Sequence, residues 1–123
     1  MLEALISIFI GGVLPPDFRI YVHEFEEATG RHEYVDIFFG DTSYLEEFGS
    51  KAAGQCFPRT NMHQPYIVVN KPDWDVYSEN VRRVLIFHEL GHCVLGLPHT
   101  NYGIMRPMLP PEAEAVERFR QGY

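Results

Sequence analysis

Two histidines and a glutamate at helical spacing are the residues of this chain whose types and positions best suit chemistry. They are His88, Glu89 and His92, in the stretch His-Glu-Leu-Gly-His. Residues four apart lie on the same face of a helix, so His88 and His92 can direct both imidazoles at one ion. Glu89 lies at the edge of that face. The pattern is typical of a zinc site with a carboxylate placed to activate a water molecule.

A third candidate ligand follows after a glycine. Gly96 lets the chain leave the predicted helix, and His99 can then turn back as a third nitrogen ligand. Three protein ligands leave a fourth position open, which is how a catalytic zinc site differs from a closed structural one. The flanking residues 84–87 are apolar, as are Val94 and Leu95, so the helix is expected to be buried. Buried imidazoles need partners, and the alternative to a metal is hydrogen bonding within the core.

The last third of the chain resembles the metzincin zinc peptidases. Their signature is H-E-x-x-H-x-x-G-x-x-H, followed by a methionine-containing turn. His88, Glu89 and His92 match the signature directly, and Met105 in the turn at residues 103–107 matches the methionine. The stretch His-Glu-Leu-Gly-His is most similar to the matrixin and archaemetzincin branches of the family. In the first two thirds of the chain only the order of elements agrees.

The spacing to the third histidine departs from the metzincin signature by one residue. Gly96 and His99 lie eight and eleven residues after His88, whereas the signature has about seven and ten. The extra residue must be absorbed as a longer last helical turn or as a bulge before Gly96. Pro98 occupies the expected ligand position and cannot bind a metal, so His99 is the local candidate.

The resemblance implies a zinc endopeptidase that carries one Zn²⁺ ion. His88, His92 and His99 would bind the ion, and Glu89 would act as the general base that moves a proton from the water to the leaving amine. Met105 would lie as an apolar floor under the imidazoles, with core filling as its plainer role. The expected partner is a peptide or protein substrate.

Two other functions stay open on the sequence alone. The first is a zinc-binding scaffold without catalysis, or a degenerate peptidase. The second is a ribonuclease, because bacterial ribosome-associated metalloribonucleases resemble this site in having three histidines at comparable spacing. Those enzymes lack a glutamate directly after the first histidine, so Glu89 argues against this function.

Composition and charge narrow the class of protein. At 123 residues the chain is expected to form one domain, residues 1–123. A hydrophobic content of 46%, with 14% aromatic residues, favours a folded globule over a disordered segment. The net charge of −7 disfavours nucleic acid and anionic membranes as partners and mildly favours neutral or basic peptides. We expect a monomer.

The order of helical and strand patterns predicts an α/β (α+β) domain with a metzincin-like zincin fold. Such a fold has a small twisted mixed sheet, a backing helix, the zinc-binding helix and a C-terminal helix. Strands are predicted at residues 5–10, 34–39, 55–57 and 66–70. Helical segments are predicted between an opening at Pro15-Pro16-Asp17 and a close at Gly30, at 42–48, around the histidines and at 112–120.

The clearest predicted strand consists of Tyr66, Ile67, Val68, Val69 and Asn70. Prolines stand on either side of it, at positions 65 and 72, and this favours the edge of a sheet over its centre. In metzincins the strand nearest the cleft holds the substrate in extended form, so the resemblance implies that role here. An ordinary protected edge strand is the alternative.

Cysteine content and apolar segments bear on the compartment. Cys56 and Cys93 permit one disulfide, which would clamp a sheet segment to the central helix, and two free buried thiols are the alternative. The resemblance favours a secreted or periplasmic location. Residues 4–10 are apolar, but they follow Glu3 and lack a basic leader and a cleavage site. No stretch reaches the ~20 apolar residues of a membrane span.

Overall fold

In the part of the chain that the structure describes, a small sheet is combined with four helices. The structure is a computed structural model and describes residues 14–41 and 52–123. The described elements, in chain order, are α1 (Pro16–Thr29), β1 (Asp36–Gly40), β2 (Gly54–Phe57), β3 (Tyr66–Asn70), α2 (Lys71–Val76), α3 (Glu79–Cys93), a 3₁₀ turn (Gly103–Met105) and α4 (Glu112–Gln121). The mixed α/β class is therefore confirmed. The strand predicted at residues 5–10 and the helical turn predicted at 42–48 lie outside the described residues.

Among the described strands the order in the sheet is β1-β3-β2. β1 runs parallel to β3, and β2 runs antiparallel to it, so the sheet is mixed as expected. Tyr66–Asn70 is therefore the central strand, and the prediction that it forms an edge is wrong. Pro65 precedes the strand, and Pro72 lies in the first turn of α2, so neither proline occupies a position that needs a ladder hydrogen bond.

The central position of β3 also removes its expected role in substrate binding. The residues concerned are Tyr66, Ile67, Val68, Val69 and Asn70, which pair with β1 on one side and with β2 on the other. Their backbone groups are used within the sheet and are not free to hold an added strand.

Helix α1 forms where the sequence predicts it. Pro16 stands at its first position, where a missing N–H costs nothing, and Gly30 ends the helix in a left-handed conformation with φ of 72°. Phe18, Tyr21 and Phe25 recur at helical spacing and are buried. The helix thereby lays an apolar stripe against the rest of the core.

Aromatic packing at Trp74 joins the sheet to the helices. Trp74 is 1% exposed and lies in α2, the short helix that follows β3 directly. Its ring contacts Phe18 at 5.0 Å, Tyr21 at 5.8 Å and Phe39 at 6.1 Å between centroids. Each such side chain contributes roughly 1.5–3 kcal/mol through burial, so the cluster fixes α1 and the sheet together.

Helix α3 runs through the middle of the fold. Ser78 caps its N-terminus by accepting a hydrogen bond of 3.2 Å from the Val81 backbone N–H. Every residue from position 84 to position 91 is buried, and the helix packs against α1, α4 and β2. A helix enclosed in this way holds its side chains in fixed directions. Within the described residues, no helix has the length and apolar character needed to cross a membrane.

The disulfide that the sequence left open is present. Cys56 of β2 is bonded to Cys93 in the last turn of α3, with their Cα atoms 5.7 Å apart. The bond therefore fixes the strand to the helix that carries the histidines.

Gly91 is the residue of α3 at which a side chain would not fit. A Cβ atom there would lie 2.6 Å from Sδ of Met105 and 3.0 Å from Cε1 of Tyr123. We expect Gly91→Ala to lower the free energy of unfolding by about 1–3 kcal/mol through overpacking. Chemical denaturation measures this. Helix propensity alone favours alanine by about 0.5–1 kcal/mol, so a neutral or stabilised variant would contradict the packing.

Candidate metal centre

Three histidines converge at the C-terminal end of α3. His88 and His92 lie one turn apart on the helix, and His99 comes from the loop that follows. One nitrogen from each ring belongs to a group whose members all lie within 4.8 Å of one another. The Nε2 atoms of His88 and His99 are 3.2 Å apart. Ligands at 2.0–2.1 Å from a tetrahedral ion are separated by about 3.3 Å, so this group can hold a metal ion.

Backbone carbonyls fix which ring nitrogen of each helix histidine faces the centre. Nδ1 of His88 is 2.7 Å from the Ile104 oxygen, and Nδ1 of His92 is 2.6 Å from the Leu97 oxygen. A carbonyl oxygen can only accept, so both Nδ1 atoms carry the proton and donate it. Both Nε2 atoms are therefore left with a free lone pair, which is the arrangement that metal-binding histidines require.

The two helix histidines are also held in the neutral form. Burial lowers the pKa of His88 to about 4, and its bond to Ile104 opposes this only in part. Burial likewise lowers the pKa of His92 from its usual value. Neutral imidazole is the form that binds a metal, so these two ligands need not lose a proton near pH 7. His99 is exposed and gives the centre access to solvent.

The extra residue before Gly96 is absorbed by a wider last turn. The N–H of Leu95 bonds to the Leu90 oxygen at 3.4 Å, and the N–H of Leu97 bonds to the Gly91 oxygen at 3.0 Å. These bonds span five and six residues instead of the four of an α-helix. Gly96 then takes a left-handed conformation, with φ of 66°. The sequence left a longer last turn and a bulge open, and the extra residue is taken up by these wider bonds, after which His99 lies beside the helix histidines.

The turn with Met105 supports the first histidine. Met105 is fully buried, and its sulfur packs against Gly91, beside His92. The carbonyl of Met105 accepts the N–H of Thr100 at 2.9 Å, so the turn is tied to the residue that follows His99. The preceding residue, Ile104, supplies the carbonyl that orients His88.

The C-terminal end of α4 holds this turn in place. The N–H of Ile104 donates to the Gly122 oxygen at 3.0 Å, and the N–H of Gly103 donates to Oε1 of Gln121 at 3.2 Å. Gly103 has φ of 60°, and a Cβ atom there would collide with the Gly122 oxygen. Glycine at position 103 is therefore required both by the backbone conformation and by the close approach.

Glu89 lies next to His88, on the face of α3 that meets β2. Its side chain is 6% exposed, and its Cγ atom approaches Gly54 of β2. Burial raises the pKa of Glu89 to about 8, while a hydrogen bond from the Cys56 backbone N–H opposes the shift. A divalent cation at the histidines would favour the charged carboxylate.

Residue types and spacing indicated the side chains of this centre but not the backbone groups that position them. The carbonyls of Ile104 and Leu97 and the N–H of Cys56 have no signature in residue type. Glycines at positions 54, 91 and 103 are the residue types that could have indicated these close approaches of chain segments.

No protein-family model, curated protein or solved structure matches this chain. The interpretation of the centre therefore depends on its own geometry. That geometry provides three imidazoles that converge within 4.8 Å of one another, and a buried carboxylate on the helix that carries two of them.

Removal of one ligand should abolish tight metal binding. We expect the wild-type protein to bind one Zn²⁺ or Co²⁺ ion per chain. An ion present at 100 times its Kd stabilises the fold by about 2.7 kcal/mol, and His99→Ala should lose most of this stabilisation. His23→Ala is the matched control, because His23 lies on α1 and pairs with Glu27 at 3.3 Å. Metal analysis measures the bound ion, and calorimetry with and without the ion measures the stabilisation. Equal binding of the ion by His99→Ala and the wild-type protein would exclude His99 as a ligand.

Disturbing the supporting turn should weaken metal binding without removing a ligand. Gly103→Ala would displace Ile104 and thus the carbonyl that orients His88, and the loss of such a support typically costs 10–100-fold in metal affinity. Gly30→Ala controls for backbone strain, because Gly30 also has positive φ, 72°, but a Cβ atom there meets nothing within 4 Å. Titration with a competing chelator gives the two affinities. Equal affinities would show that the turn does not position His88.

Proposed function

We propose that this protein is a zinc-dependent endopeptidase of the metzincin type. The observation that carries the proposal is the convergence of three histidines beside a buried glutamate. Two of the histidines lie on the same helix as the glutamate and have Nδ1–H tautomers fixed by backbone carbonyls. The match of His88, Glu89, His92 and Met105 to the metzincin signature supports the same function.

Zinc is the ion that this donor set suits. Imidazole nitrogen binds zinc, copper, nickel and iron, and zinc accepts three such ligands with an open fourth position. His99 is exposed, so solvent would reach an ion held by the three histidines. When bound, zinc supplies Lewis-acid polarisation of the peptide carbonyl and lowers the pKa of a water molecule to about 7.

The residues of the chain then have separate tasks. His88 and His92 keep their lone pairs directed at the ion, because their Nδ1 protons are bound to backbone carbonyls. Glu89 takes a proton from the attacking water and delivers it to the leaving amine. The helix that holds these side chains is buried along the stretch concerned, so they need little reorganisation during the reaction.

The substrate would be a peptide of neutral or basic character. The net charge of −7 attracts such a peptide and repels nucleic acid. The central strand β3 is not part of this proposal, since its backbone is fully used within the sheet.

Replacing Glu89 should separate metal binding from hydrolysis. We expect Glu89→Gln to keep one zinc ion per chain and to lose about 10²–10⁴-fold in kcat on a fluorogenic peptide library, because general-base catalysis is worth that much. Glu79→Gln is the matched control: Glu79 lies on the same helix, but in its first turn and exposed.

Casein and RNA should be assayed side by side, with and without a chelator. Cleavage of casein that stops with chelator supports the proposal. Equal turnover by Glu89→Gln would refute the role of Glu89. Zinc binding without cleavage of any peptide would indicate a scaffold, and cleavage of RNA alone would indicate a ribonuclease.

A further inference from the structure

Glu89 and Cys93 share one face of α3, and that face meets β2. The two residues are four positions apart, so their side chains lie one above the other on the helix. Cys93 is bonded to Cys56, so the disulfide joins β2 to α3 one helical turn from Glu89. The strand therefore lies against the Glu89 side chain, and the Cys56 backbone N–H is the group that lowers the pKa of its carboxyl against the effect of burial.

β2 packs tightly against α3 at Gly54. A Cβ atom at Gly54 would lie 3.2 Å from the Val68 oxygen, 3.3 Å from Cδ1 of Leu85 and 3.7 Å from Cγ of Glu89. A side chain at this position would press β2 away from α3. Glycine at position 54 therefore lets the backbone of β2 lie close to α3 and to the Glu89 side chain.

β2 is joined to the rest of the described sheet along only a short ladder of backbone hydrogen bonds. The strand has four residues, pairs with β3 alone among the described strands, and is continued by one bond of 2.8 Å from the Asn70 N–H to the Ala53 oxygen. A short strand at the edge of a sheet is easily displaced. The disulfide is the covalent restraint that opposes such a displacement on the side of α3.

We infer that Cys56 is a positioning residue for Glu89, and that the Cys56–Cys93 disulfide keeps its backbone N–H on the carboxylate. The inference rests on the proposed function, because it assigns Glu89 the task of moving a proton. Losing this single N–H frees the carboxylate to turn away from the reacting water. A misplacement of about 1 Å at a reacting group lowers a rate by about 10²-fold, so the effect on kcat is large.

The Cys56–Cys93 disulfide can be reduced without replacing any histidine. A phosphine reductant transfers two electrons to the disulfide, the two sulfurs take up two protons and become the thiols of Cys56 and Cys93, and the phosphine takes oxygen from water to give phosphine oxide. Reoxidation reverses the change at sulfur. The same open state is obtained permanently in Cys56→Ser/Cys93→Ser.

The first test is the backbone amide signal of Cys56 in ¹⁵N–¹H NMR spectra, which requires no enzymatic activity. In the oxidised protein, Glu89→Gln should shift this signal, because the acceptor changes from a carboxylate to an amide. In reduced protein, and in Cys56→Ser/Cys93→Ser, the same substitution should shift the amide at position 56 several-fold less. An equal shift in both states would overturn the inference, as would no shift in the oxidised protein.

The second test is kinetic. Reduction of the zinc-loaded protein should lower kcat by about 10²-fold with KM and the zinc Kd unchanged, and reoxidation should restore the rate. The serine variant should show the low kcat and no response to the phosphine, which controls for effects of the reductant on the metal. An unchanged kcat in the reduced protein would overturn the inference. Absence of cleavage in every state would refute the proposed peptidase, and the NMR test would still decide the role of Cys56.

Discussion

The structure depends on one requirement: two imidazoles on a buried helix must each find an acceptor for the Nδ1 proton. A buried donor without a partner costs about 1–3 kcal/mol. The acceptors are the carbonyls of Leu97 and Ile104, both from the segment that follows the helix. The chain must therefore turn back sharply after Cys93 and stay beside α3 for another dozen residues.

That requirement explains why distant parts of the fold bear on the centre. The carbonyl of Ile104 is placed by a turn that is bonded to Gly122 at the end of α4, so the C-terminal helix supports His88 through that turn. Gly91 and Gly103 remove the two Cβ atoms that would keep these segments apart. Packing thus sets the tautomer of His88, and through it the direction of a lone pair.

The sequence predicted those features that residue type and spacing encode. Helix α1, the histidine-bearing helix and its glycine exit follow from periodicity and from the special conformations of proline and glycine. The edge assignment of Tyr66–Asn70 failed because a proline restricts pairing only where its own missing N–H is needed, and both prolines stand outside the ladder. The Cys56 contact with Glu89 could not be predicted, since a backbone N–H is common to nearly every residue.

The departure from the metzincin spacing shows how sequence and geometry can differ without loss of the site. One added residue would rotate the following chain away from the helix face if the last turn stayed α-helical. Bonds that span five and six residues take up the addition, and Gly96 then reverses the chain. Pro98 completes the arrangement, because a proline disfavours the helical conformation of the residue before it, Leu97. Leu97 is thus held outside the helix, where its carbonyl accepts a hydrogen bond from Nδ1–H of His92. Two residues further on, His99 approaches His88.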